Sequence, residues 1–140
     1  MPLTPHEREL FLAEPHIGAL SVDAGPGRAP LTVPIWYDYE PGGELWVLTG
    51  PQSKKMELIK AAGRFSIMAE RSEPSVRYVN VEGPVTRITT ATDEQHTHMV
   101  RRYLPEDKVA AYLRQAEEFG EQAVVALRPE HWYAADLGAL

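Results

Sequence analysis

The feature that most restricts the fold is how tightly the strand-like segments follow one another. Ile17–Val22, Thr32–Tyr39 and Leu45–Leu48 are apolar or alternating, and only the short connections 23–31 and 40–44, built on Gly25-Pro26-Gly27 and Pro41-Gly42-Gly43, lie between them. Such Gly/Pro clusters are turns. Turns this short join antiparallel neighbours, because a parallel pair needs a crossover of about a dozen residues or more. Within Thr32–Tyr39 the alternation places Val33, Ile35, Tyr37 and Tyr39 on one face, with Thr32, Pro34, Trp36 and Asp38 on the other. Pro34 cannot donate to a ladder. It therefore marks an edge, a bulge, or a place where a ligand takes the neighbouring backbone groups. Leu45-Trp46-Val47-Leu48 reads as a buried strand.

The remaining elements follow from caps and breakers. Thr4-Pro5-His6-Glu7 opens a helix with a Thr cap, a Pro at the first helical position and a Glu three residues after the cap. Leu10 and Phe11 are its apolar stripe, and Pro15 ends it. Ser53 caps a helix running to about Ala62, which Gly63 stops. Phe65–Ala69 and Tyr78–Ile88 are strands, the second interrupted at Gly83-Pro84 by an expected bulge. Thr92-Asp93-Glu94-Gln95 is a capping box opening a helix to about Tyr103. Pro105 opens another, whose Val109, Tyr112, Leu113 and Ala116 share a face. Val124–Leu127 is the last expected strand, with His131-Trp132-Tyr133 leading into a tail. There is no regular β-α-β alternation. The expected fold is therefore α+β: a mainly antiparallel sheet or small barrel with short helices at its ends. A length of 140 residues suits one domain spanning 1–140.

Composition removes several function classes. Without cysteine there is no disulfide scaffold, thiolate nucleophile or zinc-thiolate site. The net charge of −6 disfavours nucleic acid as a partner, since that binding needs Lys and Arg to neutralise phosphates. No apolar run approaches the ~20 residues that span a bilayer. The first residues lack a basic region followed by an apolar stretch, so a cytoplasmic protein is expected. There is no G-x-S-x-G, G-x-G-x-x-G or Walker-A lysine loop. His96 and His98 are two apart, the wrong helical spacing for shared ligation, and no metal site is expected. Glu117-Glu118 and Asp93-Glu94 read as solvated helix ends, and no catalytic acid–base pair is expected.

The acidic total is unevenly spread. Residues 1–50 hold two basic and seven acidic groups, residues 51–90 seven basic and four acidic, and residues 91–140 five basic and nine acidic. The basic middle contains one chemical constellation. A strand ends in Thr49, a Gly50-Pro51 turn follows, and Ser53-Lys54-Lys55 opens a helix. Free N–H groups at a helix start, two hydroxyls and two ammonium groups are what a phosphate requires. Lysines in a first turn oppose the helix dipole, a cost that a bound anion would offset. The aromatic run from Trp36 to Tyr39, with Trp46, reads as core packing or as the border of a planar ring.

Several of these residues together resemble the pyridoxamine 5′-phosphate oxidase-like superfamily of flavin and deazaflavin oxidoreductases. They are Ile17–Val22, Gly27-Arg28-Ala29-Pro30, Val33-Pro34-Ile35-Trp36-Tyr37, Leu45–Thr49, Ser53-Lys54-Lys55 with Leu58, and Val81-Glu82-Gly83, over roughly residues 6–136. The resemblance is nearest to short members described as F420-dependent, including the ending Arg128-Pro129-Glu130-His131-Trp132. It implies a split β-barrel, and a homodimer with two cofactor sites at the interface. It implies that Thr49, Ser53, Lys54 and Lys55 hold the terminal phosphate of FMN or of coenzyme F420. The backbone of Val33, Pro34, Ile35 and Trp36 would border the isoalloxazine edge, and the partner's tail aromatics, Trp132 or Tyr133, would close the site. The flavin carries the hydride chemistry, so no protein acid or base is demanded. A true pyridoxamine phosphate oxidase ends in an arginine- and histidine-bearing motif, whereas no Arg follows Arg128, so that activity is not expected. Lys54 replaces a common Arg, keeping the charge but losing the bidentate fork. The alternative is a non-catalytic binder or carrier of a flavin, haem or tetrapyrrole on the same barrel.

Overall fold

The computed structural model describes residues 1–139. Helix α1 (Pro5–Ala13) starts with the expected capping box, Thr4 Oγ1 accepting the Glu7 N–H and Glu7 Oε1 the Thr4 N–H. It buries Phe11 and Leu12, and Leu10 is exposed instead of forming the stripe with Phe11. Strands β1 (Gly18–Val22), β2 (Leu31–Ile35), β3 (Tyr37–Tyr39) and β4 (Leu45–Thr49) follow, then α2 (Lys54–Ala62), β5 (Arg64–Arg71) and β6 (Val76–Thr90). Helices α3 (Asp93–Tyr103) and α4 (Glu106–Ala116) come next, and strands β7 (Ala123–Leu127) and β8 (His131–Gly138) end the described chain.

All strand pairs are antiparallel, in the order β2-β1-β5-β6-β7-β4-β3, with β8 also on β6. The fold is thus α+β, a curled, antiparallel split barrel. The long β6 joins its halves: residues 76–84 pair with β5 and β8, and residues 85–90 with β7. One face of each strand fills the barrel, including Leu20, Val22, Ile67, Val79, Val81, Val47 and Val125. At ~25 cal/mol per Å² of apolar surface removed from water, this cluster supplies the main drive for closure.

Three expectations are corrected. The 32–39 segment is two strands, because the chain breaks at Trp36. There the Tyr103 hydroxyl accepts the Tyr37 N–H at 3.1 Å and donates to the His16 carbonyl at 2.7 Å. Gly83-Pro84 is not a bulge: both residues keep regular register with Phe65 and Arg64, and the irregularity falls between Val85 and Arg87. Gly83 is required for another reason, since a Cβ there would stand 1.7 Å from the Arg128 carbonyl oxygen. The tail is a strand, β8, in register with Arg77–Glu82, with an irregularity between Val76 and Arg77.

Helix α3 lies against β3, and α4 packs on α3. Arg102 donates to the carbonyls of Tyr37 (2.8 Å), Ala13 (2.8 Å) and Glu14 (2.9 Å), tying α3 to β3 and to the end of α1. Its charge is balanced by the buried Asp38, 3.4 Å away, whose other oxygen lies 3.1 Å from His98 Nε2. Buried charges are tolerable only when paired and hydrogen-bonded in this way. No helix among the described residues is long and apolar enough to cross a membrane.

Candidate functional site

The turn from β4 into α2 has the geometry the sequence implies. Ser53 is extended (φ −70°, ψ 155°) and its Oγ accepts the Met56 N–H at 3.2 Å, satisfying one of the free donors of the first turn. Thr49 Oγ1 lies 3.2 Å from Ser53 Oγ, but Thr49 is only 3% exposed, so it backs Ser53 from inside. Lys54 is exposed, with Nζ 3.5 Å from the Glu57 carboxylate in the same turn. Lys55 is half-buried and has no acidic partner within 4 Å among the described residues. Burial alone pushes its ammonium below the ordinary lysine range. A desolvated cation without a carboxylate is the arrangement an incoming anion would relieve.

Across from Lys54 the structure brings a residue that no reading of the site included. Arg28, Thr32, Lys54 and Leu58 line one groove of about 280 Å³, with Ala24 and Pro30. Arg28 makes no ion pair among the described residues. The Gly25–Arg28 turn holds it there: the Arg28 N–H donates to the Gly25 carbonyl at 3.2 Å, and Gly25 and Gly27 take positive φ (98° and 74°), which glycine adopts without strain. Its only sequence signal is its place beside Pro30 and before β2.

The other expected residues divide. Val33 and Ile35 are half-buried and pack on the core, and Pro34 is exposed. All three lie on β2, the edge strand, which leaves a row of backbone N–H and C=O groups without a strand partner. The Trp36 indole turns away and stacks on Tyr103 (centroids 4.8 Å apart, planes at 7°), with Tyr112 at 5.4 Å. Tyr37 and Tyr39 are buried in the core, and burial pushes both phenols well up. Trp132 is far from forming a wall of the Lys54 groove within one chain: its indole lies under the Arg8 guanidinium and edge-on to Tyr39. Tyr133, the neighbouring tail aromatic, faces outward and is 71% exposed. No group of three or more His, Asp or Glu among the described residues could hold a metal.

A family model described as pyridoxamine 5′-phosphate oxidase matches residues 4–135. The chain belongs to the pyridoxamine 5′-phosphate oxidase family. No curated protein matches it. Among solved structures it is similar to an F420 reductase, with 22% identity, a TM-score of 0.70, and coverage of 89% of this chain and 94% of that one. A conserved hypothetical protein from Mycobacterium tuberculosis has 20% identity and a TM-score of 0.70 over 96% of this chain and 85% of that one. An FAD-binding protein from Mesorhizobium loti has 19% identity and a TM-score of 0.64, covering 97% and 95%. At these identities the likeness is one of fold, and the family's flavin-type cofactors are consistent with the donor set at the start of α2.

Proposed function

We propose that this family member is a flavin- or deazaflavin-dependent oxidoreductase that binds FMN or coenzyme F420 and passes hydride to or from a small organic substrate. The observation that carries the reading is the convergence of Arg28, Thr32 and Lys54 on one groove at the start of α2, beside the desolvated Lys55. The donor set fits a phosphate. Two cations, Arg28 and Lys54, and the Thr32 hydroxyl line the groove, and Lys55, Ser53 and the N–H groups of the helix start adjoin Lys54 in the chain, a set that a monophosphate would neutralise. When bound, the cofactor would supply the hydride chemistry. The protein's part is to hold and orient it: Ser53, Lys54, Lys55 and Arg28 grip the phosphate, Thr49 fixes the Ser53 hydroxyl, and the free backbone edge of β2 at Val33–Ile35 meets polar groups of a planar ring.

A homodimer belongs to the same reading. The sheet face opposite the core carries Ala19, Ser21, Ser66, Met68, Tyr78 and Asn80, all half-buried, and continues to the exposed Tyr133 and Leu137. A second copy on this face would bring its own tail to the β2 edge. Because Trp132 is held inward by Arg8 and Tyr39, Tyr133 is the better placed of the two tail aromatics to close a partner's site.

The test is the visible absorption spectrum of the purified protein, alone and after adding FMN or F420. Binding of one of them at micromolar concentration is expected, with turnover when a reductant and an acceptor are supplied. Failure to bind either sinks the reading. Binding without turnover against any pair would favour a flavin carrier instead.

A further inference from the structure

A second cleft, of about 530 Å³, opens where α1 meets the β3–β4 hairpin and the turn before β8. Arg8, Tyr39, Gly42, Arg128, Pro129 and Trp132 line it, and it shares no lining residue with the Lys54 groove. We propose that this cleft binds a small aromatic carboxylate, with its ring against Trp132 and Pro129 and its carboxylate on Arg8 and Arg128.

Arg8 is the principal cation of the cleft. Its guanidinium stands 4.7 Å from the centre of the Trp132 ring, so it is positioned by an aromatic face and not by an acid. It has no salt bridge among the described residues, and its Nε is shut off from solvent without a hydrogen-bond partner. The guanidinium charge is therefore left without a carboxylate, and an anion entering the cleft would supply one. The nearest acid, its neighbour Glu9, is already committed: Glu9 Oε1 accepts the Tyr39 hydroxyl at 2.8 Å and the Gly42 N–H at 2.9 Å. Glu44, on the opposite rim, is engaged by Arg87 at 3.6 Å and by Thr86.

The second cation is loosely held. Arg128 is 3.9 Å from Glu130, and Glu130 is bound more closely by Arg64 at 2.9 Å. Two guanidinium forks with free N–H edges suit a planar carboxylate, which accepts two parallel hydrogen bonds. The committed carboxylates of Glu9 and Glu44 would repel a phosphate dianion more than a monoanion. The aromatic and proline walls favour a flat apolar body behind the charge.

The probes are benzoate and its neutral isostere benzamide, titrated into the full-length chain and followed by backbone amide NMR shifts. Benzoate is expected to shift Gly42, Gly43 and Trp132 and to bind about tenfold or more tighter than benzamide, as the loss of a charged hydrogen-bond pair requires. Arg8→Met removes the guanidinium over Trp132 while keeping an unbranched apolar chain, and should weaken benzoate about tenfold. Arg128→Met, at an exposed position where folding is not at risk, should weaken it severalfold, and Lys54→Ala should leave it unchanged. The proposal is overturned if millimolar benzoate shifts nothing in the cleft, if benzamide binds equally well, or if neither Arg variant alters the affinity.

Discussion

The hydroxyl of Thr49 stands 3.2 Å behind that of Ser53, which itself receives the Met56 N–H at 3.2 Å. An inner hydroxyl thus aims an outer one at the start of α2. Ser53→Ala removes the cap and is expected to cost about 1 kcal/mol of stability, measured by urea unfolding. It should also weaken FMN or F420 binding. Thr49→Val leaves the cap in place and should weaken binding less than Ser53→Ala. The reverse order would mean that Thr49, not Ser53, meets the ligand.

Arg28 and Lys54 line the same groove from different elements, and Lys55 follows Lys54 in the first turn of α2. A charge-assisted hydrogen bond contributes roughly 1.5–3 kcal/mol, so Arg28→Ala should raise the cofactor's dissociation constant about tenfold or more. Lys54→Ala with Lys55→Ala should raise it further, by several kcal/mol in total. Arg28→Lys should recover part of the loss, because the point charge is kept and only the fork is gone. Absorption or fluorescence titration reads all of these, and an unchanged constant in the double lysine variant would refute the phosphate assignment.

Lys55 gives a prediction whose two effects have opposite signs. Burial lowers its folded value below the ordinary 10.5, so between those two values the unfolded chain binds more protons and stability rises with pH. Below the lowered value the cost of burying the ammonium is fully present. Without ligand, Lys55→Met should therefore be more stable than the natural chain at neutral pH, with the gap closing as pH climbs toward 10.5. The same variant should bind the cofactor less well. Equal stability of the two chains at neutral pH would contradict the burial argument.

Gly83 faces the Arg128 carbonyl so closely that a Cβ would sit 1.7 Å from its oxygen and 2.8 Å from its carbon. Backbone cannot yield as a flexible side chain does. Gly83→Ala should cost about 3 kcal/mol, at the upper end of ordinary overpacking. It should loosen the turn into β8, whose Glu130 N–H donates to the Glu82 carbonyl at 2.9 Å. A thermal melt within a degree or two of the natural chain would show that this contact relaxes freely.

What could be read from the sequence was what short-range chemistry decides. Thr4 with Glu7, Ser53, Gly63, and Thr92 with Gln95 are caps whose partners lie within a few residues, and each forms as expected. The buried strands β1, β4 and β7 announce themselves by apolar runs. Strand β8 does not: His131-Trp132-Tyr133-Ala134-Ala135-Asp136 has no clear two-residue period, because Asp136 serves an ion pair and Tyr133 lies on the open face. Its partner, residues 76–82, is 55 residues or so distant, and nothing local names it. The glycine at 83 carried a signal, but the sequence could not tell a bulge from a close approach. At the site, Ser53-Lys54-Lys55 was legible as one continuous motif. Arg28 was not, since only the folding of the 24–30 loop toward α2 joins it to Lys54. The stacking of Trp36 was not legible for the same reason: its partners, Tyr103 and Tyr112, belong to helices far along the chain.

Asp136 ties β8 to β6 and should make the chain sensitive to acid. Its Oδ2 accepts from Ser75 Oγ at 2.7 Å and Arg77 Nε at 2.9 Å, and its Oδ1 from the Gly138 N–H at 2.8 Å. These hydrogen bonds, the Ser75 one foremost, hold its carboxyl at about 2 against an ordinary 3.8. A lowered acid contributes stability above its unfolded value and loses it as pH falls through the folded one. The stabilisation is therefore complete above 3.8 and disappears on the way down to about 2. Asp136→Asn should be less stable than the natural chain at neutral pH, and the difference between the two urea midpoints should shrink across that acid window. Taking the difference cancels Glu7 and Glu9, whose hydrogen bonds to Thr4 and Tyr39 also lower them. A gap between the midpoints that stays constant with pH would mean that Asp136 acts by packing and not by charge.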